Sequence, residues 1–188
     1  MVKIDTSEVP PDKLNDPDFL QLYAQIEFVI NDPKWRHAFS IHETGHVIYL
    51  TRAGCKEFLY LGPRIVYDPE KNEFNGFPAA VQPRTENLTP GNFNLDLWFL
   101  EVAKGHAAGG VFARELTSAP DVGDEEDRAI FDAMCDLIME QAPNAKIDRD
   151  GLWKLAQNIV KQDLRSPAFK KEAWEKAGEI RLKLFGEK

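Results

Sequence analysis

The pentapeptide His42-Glu43-Thr44-Gly45-His46 places two imidazoles four residues apart. On a helix this spacing projects both rings from one face, one turn apart, so a single small metal ion can take a nitrogen from each. The glutamate between them can reach the edge of such a site and take a proton from a metal-bound water. The chain has four histidines in all, and two of them fall in this register. His37 precedes the motif and reads as structural or exposed.

The elements that must position these groups follow from periodicity. Asp16-Pro17 is an N-cap and first-turn pair, and it predicts a helix through about Ile30 with Phe19, Leu22, Tyr23, Ile26, Val29 and Ile30 as its apolar stripe. Asn31-Asp32-Pro33 breaks the chain and starts the motif helix, which Gly54 ends. In that helix Ala38, Ile41, Gly45 and Ile48 form one stripe, and Phe39, His42, His46 and Tyr49 the next, so aromatics should border the histidine face. Residues 57–61, 64–67 and 77–81 are rich in β-formers and predict a small antiparallel sheet, with Pro78 on an edge. A polar loop is expected over 82–93.

Helical period returns from Asn94 to Leu116, with Trp98, Val102, Gly105, His106, Gly109, Phe112 and Ala113 on one face. Gly105 and Gly109 would weaken an isolated helix and predict close packing on another, for which the motif helix is the natural neighbour. After a loop over 117–123, the acidic run from Asp124 opens a further helix, which Ala142-Pro143-Asn144 ends. Two more are expected over Asp148–Leu164 and Ser166–Phe185.

A metal centre that keeps a position open for water takes three protein ligands. Asp127 lies three, four and seven residues before Ile130, Phe131 and Met134, so it shares the inward face of its helix, where a carboxylate needs a cation. Asp124, one turn earlier, is the substitute. Glu101 is a further carboxylate candidate. His106 is inward-facing, and its alternatives are an ordinary core histidine or an accessory group that steadies an oxyanion or orients a ligand.

Composition bounds the rest. The 188 residues carry a formal net charge of −8, which argues against a nucleic-acid partner. Cys55 and Cys135 form no disulfide framework and read as small core residues. No signal peptide and no membrane-spanning run is evident, so a cytoplasmic protein is expected.

Four stretches in order resemble the zinc peptidase domain of the FtsH-type AAA+ proteases. They are the His-Glu-x-Gly-His helix, Leu61 to Ile65 with Gly76-Phe77-Pro78, the Gly105-His106-Ala107-Ala108 helix with Phe112, Glu115 and Leu116, and the segment from Thr117 to Asp127. His106, Gly109 and Glu126 stand where that family carries arginine, glutamate and asparagine. The resemblance implies an α+β, mostly helical, zincin-like fold with a small sheet beside the metal helix. It implies an N-terminal helical extension over 1–32 and a peptidase domain over 33–188. It also implies zinc held by His42, His46 and Asp127, with Glu43 as general base in peptide-bond hydrolysis. A peptide or unfolded substrate is expected, with a homo-oligomer or a separate ATPase as further partners, since no motor domain or membrane anchor is expected on this chain. The alternative is a catalytically inactive, metal-stabilised scaffold or interaction module.

Overall fold

The computed structural model describes residues 2–84, 95–117, 124–141 and 146–186. The elements run β1 (Asp5–Glu8), α1 (Pro17–Asn31), α2 (Pro33–Arg52), β2 (Phe58–Leu61), β3 (Arg64–Asp68), β4 (Glu73–Phe77), β5 (Ala80–Pro83), α3 (Leu95–Leu116), α4 (Asp124–Gln141), α5 (Arg149–Asp163) and α6 (Pro167–Phe185). The chain is therefore α+β and mostly helical. Helix starts follow the capping signals: the Asp16 carboxylate accepts from the Asp18 N–H, Asp32 from Lys34, and Asp148 from Gly151. Gly54, at φ 103°, follows α2 in a conformation that costs glycine nothing.

The strands differ from the sequence expectation. Among the described residues there are two small sheets, not one, ordered β1-β3-β4 and β2-β5. The run 77–81, expected as one strand, is divided. Glu73–Phe77 pairs antiparallel with β3, and Ala80–Pro83 pairs antiparallel with β2, with Val81 opposite Tyr60. Pro78 falls between the two, where its missing N–H breaks no ladder. The N-terminal residues Asp5–Glu8, not expected to form a strand, lie parallel to β3. Such a strand has little pattern of its own, because only the neighbouring edge of β3 selects it. The loop expected over 82–93 begins later, since Gln82 and Pro83 belong to β5. The rest of that loop, the segment 118–123 and the helix end at Ala142–Asn144 lie outside the described residues.

Among the described residues, the three larger apolar clusters surround two central helices. Phe19, Ile26 and Ile30 of α1 meet Val47, Ile65, Val81, Ile180 and Leu184 in the first, so the N-terminal residues share a core with the sheets and α6. The second joins α2, α3, α5 and α6 around Tyr49, Phe112 and Phe169, whose rings meet edge to face at 6.0–6.2 Å between centroids. Each such ring pair adds about 0.5–1.5 kcal/mol beyond area burial. The third joins α3, α4 and α5 around Phe131 and Trp153. Between these clusters α2 is buried on every side from Ser40 to Leu50, and α3 from Gly105 to Ala113. The expected one-sided stripes give way to all-round burial. Phe39 packs on the first cluster and Tyr49 within the second.

On α4 the inward stripe is Asp127, Phe131 and Cys135, at i, i+4 and i+8. Ile130, expected inward, is 51% exposed. Its neighbours Arg128 and Asp136 instead reach α5, pairing with Asp150 and Arg149. Both cysteines are buried and unpaired in disulfides, as expected of small core residues.

Candidate metal centre

The centre forms where α2, α3 and α4 converge. Helical spacing on α2 brings His42 Nε2 and His46 Nε2 to 2.9 Å from one another. From α4, Asp127 Oδ2 approaches His42 Nε2 at 3.3 Å, and Oδ1 approaches His46 Nε2 at 3.2 Å. Donors on a tetrahedral ion with bonds of about 2.0–2.1 Å lie about 3.3 Å apart, so these separations match shared coordination, the imidazole pair being slightly closer. Asp127 Oδ2 is buried with no hydrogen-bond partner among the described residues. A buried carboxylate oxygen in that condition is costly unless a cation satisfies it. Two imidazoles and a carboxylate converging on one point therefore fit a divalent metal ion.

The surroundings orient these donors. His46 Nδ1–H donates to the Gly105 carbonyl at 2.8 Å, which turns the Nε2 lone pair toward Asp127 and His42. Helices α2 and α3 come this close because each places a glycine against the other near the centre. A Cβ on Gly45 would lie 2.5 Å from the Ala108 carbonyl oxygen. A Cβ on Gly109 would lie 2.5 Å from His46 Nε2 and 2.7 Å from His42 Cε1. Close helix packing was legible from the glycines; that Gly109 clears the room for both imidazoles was not.

Glu43 is buried beside the ligands, and its Oε2 accepts from the Val81 N–H of β5 at 2.9 Å. Burial drives its pKa up to about 7; the charge of His46 opposes the rise, Asp127 adds to it and the Val81 N–H opposes it. For His46, burial works against the charged form. The Asp127 carboxylate, the Glu43 charge and the Gly105 carbonyl outweigh it and lift the pKa to about 9. His106 is buried and its ring centroid lies 6.4 Å from that of His46. Burial, then the charge of His46, hold its pKa down to about 3, so it is neutral.

The remaining candidates fall outside the donor set. Asp124 accepts from Arg114 Nη1 at 2.8 Å and rests against Gly110. Glu101 is bonded to Lys104, one turn along α3. His37 stacks on Trp174 at 5.1 Å, half-buried, as expected of a structural residue. The Val81 N–H, which fixes Glu43, carried no signal in the sequence, because a backbone donor has no residue type.

Among the described residues no helix is long and apolar enough to cross a membrane. Comparison with family models, with curated proteins and with solved structures finds no match to this chain.

Proposed function

We propose that this protein is a zinc-dependent peptidase, with His42, His46 and Asp127 as metal ligands and Glu43 as general base. The observation that carries the reading is the convergence of those three donors beside a buried carboxylate whose pKa sits near neutrality. Zinc, when bound, lowers the pKa of a water to about 7 and polarises a carbonyl. Glu43 takes the proton from the attacking water and returns it to the leaving amine, a task that a pKa near the working pH favours. The order of motifs along the chain supports an FtsH-peptidase-like fold, and the charge and hydropathy pattern supports a cytoplasmic setting. The substrate class is flexible or unfolded peptide, with a separate ATPase or further copies of the chain as candidate partners.

Two measurements test this. Metal analysis of the purified protein should find about one zinc per chain, lost in His46→Ala. Substituting Glu43→Gln should leave the zinc bound and abolish cleavage of an unstructured peptide library. Equal cleavage by Glu43→Gln sinks the mechanism.

One observation favours a second reading, a metal-stabilised scaffold without activity. The bond from Val81 to Glu43 ties β5 to α2 and gives the carboxylate a structural task. Failure of the fully zinc-loaded protein to cleave any library member decides for the scaffold.

A further inference from the structure

His106 lies outside the donor set of His42, His46 and Asp127. It is 7% exposed, yet no hydrogen bond engages its ring among the described residues. Neither ring nitrogen is among the fully buried, unpaired polar atoms of the described residues, so the ring's N–H edge stays within reach of water or a ligand. Its position along α3 shows where that N–H can be used. Gly109, three residues on, touches His42 and His46 of α2, and Gly110, four residues on, touches Asp124 of α4. Residues at i+3 and i+4 share one strip of a helix surface. His106 therefore lies one turn along the strip that faces both the histidine pair and the first turn of α4. The next turn of α4 brings Phe131, packed with Val102, Ala103 and Ala107 around the same stretch of α3. Toward the metal donors its ring meets that of His46, with 6.4 Å between centroids.

The groups that flank the donors also differ in kind. On the β5 side stands Glu43, a proton acceptor tethered to Val81. On the α3 side stands an imidazole, which carries an N–H donor in either protonation state. A carbonyl under attack needs both: a base for the incoming water and a donor for the oxygen that gains charge.

We propose that His106 is the group that hydrogen-bonds the ligand oxygen held at the metal centre, in catalysis the carbonyl oxygen of the scissile peptide. This rests on the zinc peptidase reading, and its own failure can be told apart from the failure of that reading. The ring changes no bond; its N–H donates as the carbonyl oxygen becomes anionic, and the proton stays on nitrogen.

The test uses the zinc-loaded full chain and acetohydroxamate, whose oxygens mimic an attacked carbonyl. Affinity is read by isothermal titration, and zinc occupancy is measured on the same samples. His106→Leu should keep zinc and bind acetohydroxamate about 10- to 100-fold more weakly, the range for a hydrogen bond to a charged partner. His106→Gln, which restores an N–H donor, should recover most of the loss. Any peptidase activity should fall in kcat more than it rises in KM. Three results overturn the assignment. If His106→Leu holds zinc and binds acetohydroxamate as the unaltered chain does, His106 makes no contact with the ligand. If both variants lose zinc while staying folded by circular dichroism, the ring supports the metal and not the ligand. If the unaltered chain takes up no zinc, the centre itself fails and the assignment falls with it.

Discussion

Gly109→Ala sets the packing argument against helix propensity at the point where α3 passes the two imidazoles. The added Cβ would lie 2.5 Å from His46 Nε2, 2.6 Å from His46 Cε1 and 2.7 Å from His42 Cε1. An ordinary contact between such atoms is about 3.5 Å, so the rings or the helix must move by about 1 Å. Overpacking of this kind costs about 1–3 kcal/mol, and alanine returns about 1 kcal/mol of helix propensity. The metal-free protein should therefore lose between about zero and 2 kcal/mol. The metal pays more, because ligand geometry tolerates only about 0.5 Å, and disturbed support of a ligand costs about 10- to 100-fold in affinity. Gly178→Ala is the control. Gly178 sits in the exposed part of α6 with nothing within 4 Å of an added Cβ, so the same chemical change should stabilise by about 0.4–1 kcal/mol. For a chain of this size that is a rise of about 1–4 °C in Tm. Urea unfolding in chelator measures the stabilities, and competition against a chromophoric chelator measures zinc affinity. If Gly109→Ala binds zinc like the unaltered chain and gains stability as Gly178→Ala does, Gly109 does not clear room for the imidazoles.

Two further outcomes follow from the buried charges. His46, lifted from 6.5 to about 9, contributes stability that is full below about pH 6.5 and is lost as pH rises through about 9. Glu43, lifted from 4.5 to about 7, favours the folded state below about pH 4.5 and ceases to do so through about 7. The chelated protein should therefore weaken in urea melts as pH climbs across this window, whereas zinc affinity climbs, by up to about tenfold per unit, because the ion displaces the His46 proton. A flat affinity between pH 6.5 and 9 contradicts the pairing of His46 with Asp127. Val81→Pro deletes the N–H that holds Glu43 and leaves the N–H groups that β5 turns toward β2 untouched. The Glu43 pKa should rise further, moving the acid limb of the pH–rate profile upward with zinc retained; an unmoved limb denies Val81 this role.

Several of these features stand in the sequence in readable form. Asp16, Asp32 and Asp148 mark helix starts because a short carboxylate satisfies the first amides wherever the helix goes. His42 and His46 face one way because a helix turns by a fixed angle per residue, and Asp127 points inward for the same reason. Ile130 shows where that logic stops. It shares Asp127's apolar period and is nevertheless half exposed, because α4 buries a narrower stripe than its sequence offers. The division of 77–81 between two sheets was likewise decided by partners, since β4 exists by pairing with β3 and β5 by pairing with β2.

The local code thus determined which side chains could bind a metal and which way each helix presents them, since both depend on residues within a turn or two. The tertiary structure decided the distances. Gly109 admits α3 beside the rings, the Gly105 carbonyl fixes the His46 tautomer, and the Val81 N–H aims Glu43. Each of these acts across 38 or more residues of chain, through a bare backbone group or an absent Cβ. Neither leaves a periodic mark in the sequence, so only the folded chain could bring four separate residues to one point.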